Sequence, residues 1–271
     1  MKYLSFISIL ILIIVVLSCS EKKQEETKVG IVTKEVNYKS NGTNLKGFIA
    51  YDGDIQGKRP GVLIVHEWWG LNDYARKRAV MIAELGYTAL ALDMYGDGKQ
   101  ANHPDDAQKF AMEVFNNMDA AKAKFEAALE VLKMQPTTDP ERIAAIGYCF
   151  GGGVVLHMAR FGLDLDAVVS FHGALQTAHP AEAGKVKARL LVCNGEDDPF
   201  TTPEQIDAFK NEMSKAGVDY KFINYPGAMH SFTNPIADSV GKKFNLPLAY
   251  NKAADEKSWA EMQALFNEVF N

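Results

Sequence analysis

The sequence predicts an α/β fold with a mostly parallel sheet that is covered by helices on both faces. Three observations support this prediction. Short apolar runs alternate along the chain with longer, helix-like stretches. The short runs are apolar throughout, which is typical of strands buried on both sides of a parallel sheet. Finally, 47% of the 271 residues are hydrophobic, which is ample for one sizeable core.

The elements follow in a regular order through residues 34–271, which we predict to form one domain. Asn41-Gly42 lies between the first two apolar segments and predicts a hairpin, because Asn-Gly is a preferred two-residue turn. The predicted strands cover residues 36–38, 45–51, 61–66, 87–93, 143–148, 167–171, 190–194 and 220–225. The predicted helices cover residues 73–85, 105–117, 119–134, 152–161, 203–216 and 253–270.

Charge and cysteine content exclude several classes of protein. The formal net charge is −5, and no basic tract follows the N-terminus, so we predict no nucleic-acid partner. Three cysteines do not make a disulfide framework, and Cys193 lies in an apolar run typical of a core. No metal-ligand cluster or phosphate-binding glycine loop is present in the sequence, so neither a metal nor a cofactor is predicted. No feature of the sequence predicts an oligomeric state.

The first 19 residues resemble a lipoprotein-type signal peptide. Lys2 supplies a positive start, residues 4–17 are almost wholly apolar, and the run ends at Cys19 in a lipobox-like setting. Residues 20–33 are rich in charge and predict a solvated tether. We therefore expect export, lipidation at Cys19 and attachment to a bacterial envelope membrane, facing the periplasm or the cell surface. An uncleaved membrane anchor is the alternative.

The most informative motif is Gly147-Tyr148-Cys149-Phe150-Gly151. It matches the G-x-S-x-G nucleophile elbow of α/β-hydrolases, with cysteine in place of serine. A predicted strand precedes the motif and a predicted helix follows it, which is the setting that the elbow requires. A thiol at the start of a helix also meets the positive end of the helix dipole, which favours the thiolate. The alternative is a buried structural cysteine beside a glycine-rich strand end.

Two further residues complete a nucleophile–acid–base order. The loop after strand 190–194 contains Asp198, and the loop after strand 220–225 contains His230. Cys149, Asp198 and His230 therefore follow the chain order of the α/β-hydrolases, each after its own strand. Asp197 competes for the acid position, but Asp198 is preferred because Asp-Pro fits an aspartate fixed in a turn before a helix. Histidine supplies a base near neutral pH, and a carboxylate fixes its tautomer.

The segment after strand 61–66 offers the remaining candidate site residues. The backbone N–H groups of Trp68 and Phe150 are the expected oxyanion hole. Glu67 is a candidate for modulating the thiol, because a carboxylate close to a thiol favours the neutral form; the alternative is an ordinary surface carboxylate. His172 and Trp69 could line the pocket or could pack structurally.

The chain resembles the dienelactone hydrolase family. The resemblance rests on five stretches and covers nearly everything after the tether: residues 66–72, 91–96, 147–152, 195–199 and 230–232. It implies an α/β-hydrolase fold, a triad of Cys149, Asp198 and His230, and a Glu67 that holds the resting thiol until substrate releases it to His230. The implied reaction is hydrolysis of a small-molecule ester or lactone, such as carboxymethylenebutenolide.

One position departs from the family pattern. Members acting on dienelactones place an arginine two residues after the His-Ser-Phe stretch, where it holds the substrate carboxylate; here that residue is Asn234. The resemblance therefore extends to the catalytic residues rather than to this substrate contact. Two alternative functions stay open, a non-catalytic binding protein on the same fold and a thioesterase or peptidase that uses the same residues.

Overall fold

An eight-stranded sheet organises residues 30–271, which are the residues that the computed structural model describes. The strands are β1 (Ile31–Ser40), β2 (Thr43–Asp52), β3 (Arg59–Val65), β4 (Thr88–Leu92), β5 (Thr138–Tyr148), β6 (Ala167–Phe171), β7 (Arg189–Gly195) and β8 (Tyr220–Tyr225). The helices are α1 (Asp73–Glu84), α2 (Pro104–Phe115), α3 (Met118–Lys133), α4 (Phe150–Arg160), α5 (Pro203–Ala216), α6 (Ala237–Phe244) and α7 (Lys252–Phe270).

The strand order is β1-β2-β4-β3-β5-β6-β7-β8. β1 and β2 form an antiparallel hairpin, β2 pairs antiparallel with β4, and the strands from β4 to β8 are parallel. Parallel strands end at the same edge of a sheet, so the loops after β3, β5, β6, β7 and β8 meet there. This confirms the predicted α/β-hydrolase fold with a mostly parallel sheet.

The hairpin turn at Asn41-Gly42 has the conformation that its sequence predicts. Both residues have positive φ, 47° and 81°, as the two central positions of a type I′ turn require. β1 begins at Ile31, three residues before the predicted start of the domain, and Ile31 pairs with Asp52 and packs against the core. The last residues of the predicted tether, 31–33, are therefore part of the sheet.

Helices cover both faces of the sheet, as predicted. Leu63 and Val65 of β3 belong to a core that includes residues of α2, α3, α4 and α5. Val62 and Ile64, which point to the opposite face, belong to a second core that includes residues of α1 and α7. The strands β3, β4, β6 and β7 are buried almost throughout, which explains why their sequences are largely apolar, whereas the edge strand β8 is partly exposed.

One helix of the described structure was not predicted. α6 has eight residues and begins without a side-chain N-cap, so it lacks both the length and the capping signal that predict a helix from sequence. It ends at Asn245, which adopts the left-handed conformation with φ 53°.

The predicted signal peptide, Cys19 lipidation and most of the predicted tether lie outside the described residues. Within residues 30–271, no helix combines the length and the apolar character that crossing a membrane requires.

Candidate active site

The nucleophile elbow has the strained geometry that its motif predicts. β5 ends at Tyr148, α4 begins at Phe150, and Cys149 between them has φ 52° and ψ −116°. A Cβ atom on Gly151 would press against the backbone oxygens of β3, and one on Gly147 would press against the carbonyl of Gly151. Both positions therefore require glycine so that helix and strand can approach. The thiol consequently projects from the N-terminal end of α4.

His172 holds the backbone of the nucleophile. The N–H of Cys149 donates to the carbonyl of Phe171 over 3.0 Å and to Nδ1 of His172 over 3.1 Å. Because Nδ1 accepts, the proton of the neutral ring must reside on Nε2, which lies 2.7 Å from Oγ1 of Thr233 and donates to it. Burial, together with the positive charges of His230 and Arg78, lowers the pKa of His172 well below 6.5 and keeps this ring neutral.

Cys149, His230 and Asp198 form one line of contacts. Sγ of Cys149 lies 3.1 Å from Nε2 of His230, and Nδ1 of His230 lies 2.7 Å from Oδ2 of Asp198. A carboxylate only accepts hydrogen bonds, so Nδ1 donates and Nε2 faces the sulfur. Asp198 is 3% exposed, whereas its competitor Asp197 is exposed to solvent. The structure thus brings Asp198 to the position predicted for the acid.

The position of Asp198 is fixed by its own turn. Its Oδ1 atom accepts a hydrogen bond of 2.8 Å from the backbone N–H of Phe200. This leaves Oδ2 directed at His230 and explains why an aspartate at a turn, rather than a solvated neighbour, reaches the imidazole.

The electrostatics of the site favour an imidazolium at His230. Burial alone lowers the pKa of His230, but the negative charge of Cys149 and the hydrogen bond that His230 donates to Asp198 outweigh it. Together they raise the pKa of His230 well above 6.5.

Glu67 is buried near this site, with 2% of its surface exposed. Its carboxylate accepts hydrogen bonds from Oγ of Ser231 over 3.0 Å and from Nδ2 of Asn234 over 2.7 Å. The resemblance implies that Glu67 holds the resting thiol, but in this structure the thiol contacts His230 instead. Burial raises the pKa of Glu67 above 4.5, although the two hydrogen bonds oppose this shift.

Two side chains, those of His66 and Tyr95, hold the backbone of the loop that carries Glu67 and Trp68. His66 donates from Nδ1 to the carbonyl of Glu67 over 2.6 Å and accepts at Nε2 from the N–H of Met94. The hydroxyl of Tyr95 donates to the carbonyl of Trp68 over 2.9 Å. These contacts place Trp68 beside Phe150 in the wall of the cavity that contains Cys149. Their backbone N–H groups remain the predicted oxyanion hole.

The thiol opens into a cavity of about 230 Å³. His172 lines this cavity, which is one of the two roles predicted for it, whereas Trp69 is absent from the lining. The ring of Trp69 packs instead against Trp68 and against Phe244 of α6, with ring centroids 5.2 Å and 5.9 Å apart. The lining consists of Trp68, Ala111, Phe115, Cys149, Phe150, His172, Gly173, Ala174, Phe200, Thr201, His230, Leu246 and Leu248.

Several residues of the cavity wall belong to no motif from which their place in the site could be predicted. Leu246 and Leu248 come from the segment after α6, which reaches the site because Leu248 forms an isolated bridge with His230. Phe200 is 52% exposed, yet its ring contacts that of His230 at 5.0 Å between centroids. Their only sequence signal is that they are apolar and follow Asp198 or His230. Within residues 30–271, no group of three or more acidic, histidine or cysteine side chains could hold a metal ion.

The fold and the elbow define a protein of the α/β-hydrolase class. Residues 45–270 match the model of the dienelactone hydrolase family, so the chain belongs to this family of hydrolases.

Two solved structures are similar to nearly the whole described chain. One, named m3DLH, is 40% identical, has a TM-score of 0.85, and covers 89% of this chain and all of its own. The other is a dienelactone hydrolase-like promiscuous phosphotriesterase from metagenomic libraries. It is 36% identical, with a TM-score of 0.83 and the same coverage. Protein usf of Aquifex pyrophilus is 31% identical over 86% of this chain and 97% of its own length.

Proposed function

We propose that this protein hydrolyses small esters or lactones through a Cys149–His230–Asp198 triad and an acyl-enzyme on Cys149. The observation that carries this proposal is the line of contacts from Sγ through both ring nitrogens to Oδ2, with distances of 3.1 Å and 2.7 Å. Nucleophile, base and orienting acid within hydrogen-bond reach of one another are what covalent acyl transfer requires.

Acylation begins when Nε2 of His230 takes the proton of the Cys149 thiol. The sulfur attacks the substrate carbonyl carbon, an S–C bond forms, and the π electron pair moves to the oxygen. The N–H groups of Trp68 and Phe150 stabilise that oxyanion. The intermediate then collapses: the C–O bond to the alcohol breaks, and the alkoxide takes the proton from His230. In a lactone the alcohol stays attached to the acyl group.

Deacylation repeats the proton transfers with water. His230 takes a proton from a water molecule, and the resulting hydroxide attacks the thioester carbonyl carbon. The C–S bond breaks, the carboxylic acid leaves, and the thiolate regains its place beside the imidazolium. Asp198 keeps Nδ1 protonated throughout and stabilises the imidazolium that forms in both halves.

A second candidate chemistry is attack at phosphorus. The dienelactone hydrolase-like phosphotriesterase is 36% identical to this chain and covers 89% of it. An uncharged aryl phosphotriester would enter the same cavity and meet the same thiol, so it belongs in the substrate panel beside esters and lactones.

The test is turnover of small activated esters and lactones by the domain that begins at Gly30, with two cysteine variants in parallel. Cys149→Ala should abolish turnover, since it removes the nucleophile. Cys193→Ala is the matched control, because Cys193 is buried and its pKa is raised to about 12 by that burial. Full activity in Cys149→Ala would remove Cys149 from the mechanism. Cys149→Ser should be poor, because a site arranged around a thiol need not activate a hydroxyl.

Thiol labelling against pH distinguishes an enzyme from a binding protein on the same fold. An enzyme predicts a Cys149 reactivity that depends on His230 and is blocked by an ester substrate. A binding protein predicts labelling that neither His230→Ala nor an ester changes.

A further inference from the structure

The wall of the cavity carries no formal charge apart from the catalytic groups. Of its lining residues, Trp68, Cys149, His172, Thr201 and His230 have side chains with a polar group, and neither lysine, arginine, aspartate nor glutamate is among them. His172 uses both ring nitrogens in contacts with the protein, and His230 does the same. Apart from the catalytic groups and the backbone around the sulfur, the polar side-chain groups of the wall are therefore two neutral donors, the hydroxyl of Thr201 and the indole N–H of Trp68.

Two polar side chains behind this wall, those of Asn234 and Arg78, are already paired. Asn234 donates to Glu67 and accepts from the N–H of Ile236 with its other amide atom. The guanidinium of Arg78 donates to the carbonyl of Thr233 and to the carboxylate of Asp255. Neither side chain lines the cavity. A carboxylate on a substrate would thus find no cationic side chain outside the catalytic groups, and burying a charge without an opposite charge is strongly unfavourable.

The volume of the cavity and the aromatic side chains in its wall indicate which substrate group fits into it. A cavity of about 150 Å³ with aliphatic and aromatic walls holds a benzene molecule. The present cavity is about 230 Å³, which leaves room for one ring and the ester carbon and oxygens. Four aromatic side chains line it, namely Trp68, Phe115, Phe150 and Phe200, and aromatic rings pack favourably against one another.

We propose that this site selects uncharged esters whose acyl group is apolar and about the size of one aromatic ring, and that it excludes anionic acyl groups. The proposal rests on the proposed function and names its substrate class. A substrate carboxylate loses its hydration on entering this cavity, and outside the catalytic groups no lysine or arginine of the wall compensates for that loss.

The test uses substrates that differ in charge and hardly in size. The parent compound is 4-nitrophenyl phenylacetate, and two derivatives carry a carbamoyl or a carboxylate group at the para position of the acyl ring. We expect the carboxylate to have a kcat/KM at least about 100-fold below that of the carbamoyl compound. Values within about threefold of each other would overturn the proposal.

A charge placed in the wall gives a second readout. Leu246 lines the cavity and is half-buried, so Leu246→Arg can direct a guanidinium towards the acyl group. Leu246→Gln is the uncharged control of similar length. The arginine variant should raise the carboxylate-to-carbamoyl ratio by about 10-fold over the glutamine variant, because it pairs the buried charge. An unchanged ratio, in arginine and glutamine variants that both retain the parent melting temperature, would count against the proposal.

The outcomes also separate this proposal from the proposed function. If none of the three esters is hydrolysed in a Cys149-dependent way, the proposed function fails and selectivity has no meaning. If all three are hydrolysed at similar rates through Cys149, the proposed function stands and only the substrate class is wrong.

Discussion

Oδ2 of Asp198 lies 2.7 Å from Nδ1 of His230, while the second carboxylate oxygen of Asp198 is held by the N–H of Phe200. The aspartate is thus oriented by its own turn before it orients the imidazole. This arrangement explains why one of two adjacent aspartates in the same loop reaches the base, although both have the same chemistry.

Asp198→Asn should therefore lower kcat by about 10³- to 10⁴-fold, because an amide no longer fixes the imidazole in the required tautomer. Asp197→Asn is the matched control and should leave kcat within about twofold of the parent, since that side chain is exposed. Steady-state kinetics on an activated ester measure both. Equal losses in the two variants would contradict the assignment of the acid.

Removing the sulfur should lower the pKa of His230. The charge of Cys149 is the largest of the effects that raise this pKa, and burial acts in the opposite direction. Cys149→Ser removes the charge, so the imidazolium should lose its proton at a lower pH than in the parent protein. An NMR titration of labelled histidines measures the change, with Cys193→Ala as the control. An unchanged His230 titration would show that the two groups are not coupled.

Glu67 should make stability fall as pH rises. Burial raises its pKa in the folded protein above the ordinary value of 4.5, so the folded state binds this proton more tightly than the unfolded state does. This difference stabilises the folded protein. The stabilisation is fully present below the pKa that Glu67 has in the unfolded chain, and it is lost as pH rises through the pKa that Glu67 has in the folded protein.

Glu67→Gln removes that contribution while retaining a polar side chain. The free energy of unfolding of the parent, relative to this variant, should therefore decrease from about pH 4 upwards. Denaturant titrations of both proteins at a series of pH values measure the difference. A relative stability that stays constant or increases with pH would contradict the shift.

His172 should act by positioning the nucleophile. His172→Asn retains an acceptor near the place of Nδ1, and asparagine tolerates the φ of 40° found here. His172→Leu retains the bulk but not the acceptor.

We expect His172→Leu to lower kcat by about 3- to 10-fold, and His172→Asn to retain most of it, with little effect on KM in either. The loss is modest because the Cys149 N–H keeps its second acceptor, the carbonyl of Phe171. Similar kcat values in leucine and asparagine variants of equal melting temperature would exclude this positioning.

Much of the fold was predictable because its signals are local. The apolar runs that form β3, β4, β6 and β7 are buried on both faces, and the Asn41-Gly42 turn has the dihedral angles that its residues favour. The elbow was predictable for the same reason, since glycine is required at Gly147 and Gly151 by close backbone contacts.

The features that could not be predicted from the sequence depend on contacts between residues that are distant along the chain. α6 is short and has no side-chain cap, so its sequence hardly differs from that of a loop. Glu67 meets Asn234 across 167 positions of sequence, and Leu248 reaches His230 through a single bridge. No local pattern records such contacts, and this is why the cavity wall and the partners of Glu67 emerge only from the structure.

Trapping the covalent intermediate tests whether Cys149 forms an acyl-enzyme during ester hydrolysis. The domain beginning at Gly30 is mixed with 4-nitrophenyl phenylacetate, quenched in acid within milliseconds to seconds, and analysed by intact mass spectrometry and peptide mapping. If Cys149 is the nucleophile, a phenylacetyl mass increment appears on the peptide that contains Cys149, forms and disappears at rates consistent with turnover, and is absent in Cys149→Ala. Turnover of the ester with no acyl group on Cys149, or with the group on another residue, would contradict that role of Cys149.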